Sequence, residues 1–81
     1  MIKESVSFCV IEFALKEEGF SYQWENKEGA LVYYKNPMPF PIIIPRYTKV
    51  YPPVAMSILN LANIEEKKFL SYLKEYEKSL K

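Results

Sequence analysis

Three features of this chain predict an α+β fold, with helices laid on one face of a three-stranded antiparallel sheet. Apolar residues recur at helical spacing at both ends. A strand-like pattern takes over between residues 20 and 44. Turns rich in Asn, Gly and Pro separate the candidate strands. The order along the chain is α-β-β-β-α-α, and its 81 residues (1–81) form a single domain with no room for a second core. A chain this short buries only about 60–65% of its unfolded surface. A content of 49% hydrophobic and 16% aromatic residues still suffices for a core without metal or disulfide staples.

The spacing of Val6, Cys9, Val10, Phe13 and Ala14 predicts an amphipathic helix over residues 4–18, its stripe widened by Phe8, Ile11 and Leu15. Gly19 supplies the left-handed stop, and Phe20 folds back as the apolar contact beyond it. Phe20, Tyr22 and Trp24 then alternate with Ser21, Gln23 and Glu25, which predicts a strand with one buried face and places Trp24 in the core. In the turn Asn26-Lys27-Glu28-Gly29, both Asn26 and Gly29 tolerate positive φ. The second strand, residues 30–35, is apolar almost throughout, which argues for a central position. Three prolines keep residues 36–41 out of any regular ladder. Ile42-Ile43-Ile44 is a short third strand closed by Pro45. After a loop, Pro53 opens a helix that buries Val54, Ile58, Leu61 and Ala62 and stops at Asn63. Glu65 and Glu66 start a last helix with a stripe of Phe69, Leu73, Tyr76 and Leu80, beside Leu70.

Composition narrows the function classes. The single Cys9 excludes an internal disulfide, and its apolar helical setting suits a buried small hydrophobe better than a nucleophile. With no uninterrupted apolar run of membrane length, the expectation is a cytoplasmic protein without membrane attachment. Net charge is only +1, unevenly spread. Residues 1–18 carry a balance of −2, residues 19–53 of +2 and the remainder of +1, so the sheet region is the basic part. The chain contains no histidine and no aspartate, and its ten glutamates show no ligand spacing; no metal or other cofactor is expected.

Several segments, in order, carry a resemblance to a known family. Gly19-Phe20 closes the first helix; Gly29-Ala30-Leu31-Val32-Tyr33-Tyr34-Lys35-Asn36-Pro37 spans the central strand; Pro45-Arg46 ends the third. Ser57-Ile58-Leu59, Ala62, Asn63 and Ile64 follow in the next helix. Taken together, at these separations, they resemble the HicA (YcfA-like) family of mRNA-cleaving toxins over about residues 9 to 70. The resemblance implies a double-stranded-RNA-binding-like α-β-β-β-α core, here with an extra C-terminal helix. It also implies RNA as ligand and a HicB-like antitoxin as protein partner. The family's central strand begins Gly-Ser-x-His, with the histidine catalytic. Here Ala30 stands for the serine, Val32 for the histidine, and Tyr47 for a histidine that often follows the Pro-Arg pair.

That departure falls on the chemistry. Cleavage through the ribose 2′-hydroxyl needs a base for that proton and an acid for the leaving oxygen. Valine supplies neither. Tyr33, Tyr34, Tyr47, Glu28, Lys35 and Arg46 are the nearest groups that would have to replace it. Arginine stays protonated, and tyrosine or lysine needs a large pKa shift to act near neutrality.

For binding, Lys27, Lys35, Arg46, Tyr47 and Lys49 are the candidates: Arg46, the only arginine, as a bidentate phosphate ligand, the lysines along a phosphate backbone, Tyr47 and Tyr51 as stacking surfaces. Each has a structural alternative, Arg46 as a salt bridge fastening its loop and the tyrosines as cover for the domain edge. The expected function is nucleic-acid binding, RNA first and double-stranded RNA included, without catalysis. Two alternatives stand beside it: a metal-independent endoribonuclease with a displaced site, and a protein-interaction module. The aromatic stripe of the last helix serves a homodimer if the core closes without it.

Overall fold

In the computed structural model, which describes residues 4–80, the first helix starts later than its apolar spacing suggests. Helix α1 runs Phe8–Glu17, capped by Ser7, whose side chain accepts a hydrogen bond from the Cys9 N–H at 3.2 Å. Val6 is not helical. It forms an antiparallel bridge with Val50, with N···O distances of 3.0 and 2.7 Å. A β-branched residue fits that extended pairing, and the bridge fastens the chain entering α1 to the loop leaving the sheet. At the other end Gly19 adopts φ +94° and the Phe20 N–H donates to the Leu15 carbonyl at 2.9 Å, closing the helix as expected. Val10, Ile11, Ala14 and Leu15 are buried, whereas Cys9 is only half-buried.

Strands β1 (Ser21–Glu25), β2 (Leu31–Tyr34) and β3 (Ile42–Ile44) form one antiparallel sheet in the order β1-β2-β3, so β2 is central. The β1–β2 turn is closed by the Asn26 side chain, which accepts from the N–H groups of Glu28 (3.0 Å) and Ala30 (2.9 Å), while Gly29 alone takes positive φ, at +82°. Helix α2 (Pro52–Leu61) carries Pro52 and Pro53 in its first turn and is ended by Asn63 at φ +59°. Helix α3 is Glu66–Ser79.

The helices pack on one face of the sheet. Leu31, Tyr33, Ile42 and Ile44 meet Ile11, Leu15, Ala55, Leu59 and Phe69 in a single core. Burying Phe69 alone contributes about 2–3 kcal/mol. Helix α2 buries Ala55, Ile58 and Leu59 with Ala62 beyond it, leaving Val54 and Leu61 exposed. The expected face is thus rotated: Ala55 and Leu59, four residues apart, are buried, whereas Val54 and Leu61 are exposed. In α3, Tyr72, Leu73 and Tyr76 lie against the core, and Phe13 meets Tyr72 and Tyr76 edge to face at 6.3 and 5.7 Å between centroids. Leu80 stays exposed. Apart from Leu80, the aromatic stripe of α3 therefore packs within the domain, against α1 and the core. No described helix is long and apolar enough to cross a membrane.

β1 is the main departure. All five residues are exposed, Tyr22 by 50% and Trp24 by 57%. The ladder slips between them, so Tyr22 lies opposite Tyr33 whereas Trp24, two residues on, lies opposite Val32, only one residue back. The extra residue, Gln23, is a β-bulge. Tyr22 therefore shares the helix-side face with Tyr33, their rings 5.7 Å apart. Trp24 goes to the opposite face and does not enter the core.

Glu18, just after α1, ties that helix to α3. Its carboxylate takes the Lys68 ammonium at 2.8 Å and accepts from the Tyr72 hydroxyl. The Lys68 hydrogen bond, then that of Tyr72, holds the Glu18 pKa below the usual carboxylate range. A lowered folded-state pKa contributes stability above the unfolded value and loses it as pH falls through the folded one. The melting temperature of the native chain should therefore exceed that of Glu18→Gln near neutrality, and the gap should close as pH drops below about 4.5. Thermal melts of both chains across that range check this; a gap that persists in acid would remove Glu18 as the cause.

Candidate nucleic-acid interface

Alternation along β2 sends Leu31 and Tyr33 inward and Val32 outward, to the face without helices. Val32 is nevertheless only 3% exposed. Its cross-strand neighbours are Trp24 on one side and Ile43, 50% exposed, on the other. The position that the HicA resemblance gives to histidine is thus the middle of an apolar row. Neither neighbour titrates, so that row offers no general acid or base.

Two of the tyrosines named for that chemistry, Tyr33 and Tyr34, are engaged elsewhere. Tyr33 is fully buried on the helix side and its hydroxyl donates to the Glu12 carboxylate of α1. Burial, followed by that carboxylate, pushes its pKa well above the usual tyrosine value, which takes it further from use as a base near neutrality. Tyr34 donates to the Met38 carbonyl at 2.8 Å and closes the turn after β2. Among the described residues, no three His, Cys, Asp or Glu side chains gather as a metal site.

The five binding candidates divide between two ends of the sheet. Arg46 follows β3 and lines a shallow cleft of about 200 Å³ with Glu28, Gly29, Ala30, Pro45 and Tyr47. Lys27 lies in the adjoining turn and Lys49 farther along the Arg46 loop, both exposed, as is Tyr47. That loop is held by its backbone, with the Phe8 N–H donating to the Tyr47 carbonyl at 3.1 Å. Lys35 is at the opposite end of β2. Its ammonium lies 5.8 Å from the Phe20 ring centre, in a cleft of about 240 Å³ shared with Glu18, Met38 and Asn63. Antiparallel pairing places Leu31 beside Ile44 and Tyr33 beside Ile42, so Lys35 and Arg46 leave the sheet in opposite directions.

Arg46 also has a structural task. Its guanidinium pairs with Glu25 at 3.0 Å and lies 5.9 Å from the centre of the Phe8 ring. The pair is half-exposed, which limits it to below about 1 kcal/mol. Both Glu25 and Glu28 stand near Arg46, so the local excess of positive charge is small.

The aromatic residue that spacing assigned inward, Trp24, is the large ring on the free face. One signal in the sequence bears on this: β2 is apolar on both of its faces, so its outer side also needs cover from neighbouring strands. The slip at Gln23 that turns Trp24 outward has no comparable signature.

No family model, curated protein or solved structure matches this chain.

Tyr33→Phe should lower stability by about 1–2 kcal/mol, because it leaves the half-buried Glu12 carboxylate without its donor. Urea unfolding of the two chains measures this. A shift within experimental scatter would show that solvent replaces the tyrosine hydroxyl without loss.

Proposed function

We propose that this chain is a HicA-like domain that binds nucleic acid, RNA first, and does not cut it. The observation that carries the second half is Val32: at the position where the resemblance expects a catalytic histidine, a buried valine is flanked by Trp24 and Ile43. The first half is supported by the exposed Lys27, Arg46 and Lys49 near one end of the sheet, with Tyr47 between them. Phosphate contacts by such groups release counterions and make binding fall with salt.

A protein-interaction module is the second reading, favoured by the Glu25 carboxylate that offsets Arg46. A HicB-like antitoxin belongs to that reading and a cytoplasmic setting to both, on the resemblance. A double-stranded-RNA-binding-like topology is compatible with the observed order α1-β1-β2-β3-α2 followed by α3.

Labelled RNA incubated with the protein at low and moderate salt tests the proposal. Retarded, intact RNA whose affinity falls with salt is the expected result. Arg46→Ala should weaken binding severalfold with a stability loss below about 1 kcal/mol, and Lys35→Ala should weaken it less. Reproducible cleavage would overturn the non-catalytic reading, and absence of binding at low salt would leave the protein-interaction module.

A further inference from the structure

The helix-free face of the sheet is an exposed feature distinct from the cations near its end. Its middle is the row Trp24–Val32–Ile43, with Ser21 opposite Tyr34 along the same face. The indole of Trp24 is more than half exposed, and Ile43 is half exposed. Among the described residues, none of these five carries charge. Glu25, the acidic residue next to Trp24, pairs with Leu31 in register and is held by Arg46, on the helix-side alternation of the sheet. Beyond the row, in the direction of the turn, stands Lys27; Arg46 lies at the same end with its guanidinium on the helix side, against Glu25 and Phe8.

Size discriminates between occupants. Three strands about 4.8 Å apart, with about four residues of each presented, make a face of roughly 200 Å². A stable protein–protein interface takes about 800 Å² from each partner. The apolar face is also smaller than the patches of roughly 300–600 Å² that many monomers expose. A second copy of this chain would have to find most of its contact elsewhere. Flat rings need far less: sheet-based RNA-binding domains stack two or three bases on exposed strand aromatics. An uncharged floor with one exposed indole, and a lysine beyond one end, matches bases above and a phosphate at the margin.

We infer that the free sheet face binds single-stranded nucleic acid, with a base stacked on Trp24 and the backbone leading toward the turn that carries Lys27. The inference rests on the nucleic-acid-binding reading and adds the strand state and the contacting surface. Paired bases keep their faces inside the duplex, so a duplex does not satisfy this site.

Trp24 is the only tryptophan in the chain, so its own emission reports on the face. A short labelled oligouridine is titrated into the native protein, following tryptophan emission and label anisotropy together, with a fully paired RNA duplex as the comparison. The expected result is quenching that tracks binding, with preference for the single strand. Trp24→Ala should weaken oligouridine binding about five- to hundredfold, while Trp24→Phe, which keeps a ring, should lose less. Circular dichroism confirms that each variant is folded, and the native chain's quenching stands if the alanine variant is not. Binding without quenching, unchanged in a folded Trp24→Ala, would overturn the sheet-face assignment and leave nucleic-acid binding intact. Preference for the duplex would overturn it too. Failure of both RNAs to bind at low salt would remove this inference together with the reading beneath it.

Discussion

The whole domain depends on a central strand that is apolar on both faces. Leu31 and Tyr33 need cover on one side and Val32 on the other, and a strand of four residues cannot bury both by itself. Helices α1 and α2 meet the sheet on the inner side, and Phe69 of α3 joins the same core. On the outer side, its cross-strand neighbours are Trp24 and Ile43. Val32 is buried while both of these neighbours stay about half exposed. The bulge at Gln23 makes this division possible, because without it Tyr22 and Trp24 would lie on the same face.

Polar ties at the rim of the core then hold the helices to that sheet. Glu12 receives the Tyr33 hydroxyl from β2, and Glu18 joins Lys68 and Tyr72 of α3. Both carboxylates belong to the α1 segment, so the first helix is the hub between sheet and last helix. These ties also remove candidates from chemistry. A tyrosine that donates to a carboxylate in a buried setting holds its proton more firmly, which is the opposite of what a base requires.

The proposed binding rests on where charge and hydrocarbon are placed. A net charge of +1 gives little long-range steering, and the pairing of Arg46 with Glu25 reduces the local field further. Ring stacking loses less from a weak field, because its strength comes from contact between flat surfaces. Placing Lys35 at the far end of β2, on the Phe20 side, also breaks up the cation track expected from the sequence.

The sequence alone determined the elements and their order. Gly19, Gly29 and Asn63 mark their stops through backbone conformations that few residues adopt, and the apolar run of β2 announces a central strand. Absence of histidine was equally legible, and with it the absence of the residue that the resemblance expects at position 32. Tertiary structure decided which way the side chains face. Apolar spacing is compatible with either side of a strand and with more than one rotation of a short helix, so Trp24 and Val54 were assigned inward and lie outside. Val6 fitted a helix by spacing and pairs as a strand because Val50, far along the chain, comes beside it. Periodicity reports local repetition, whereas a bulge, a bridge or an ion pair such as Glu25–Arg46 depends on what the folded chain brings close.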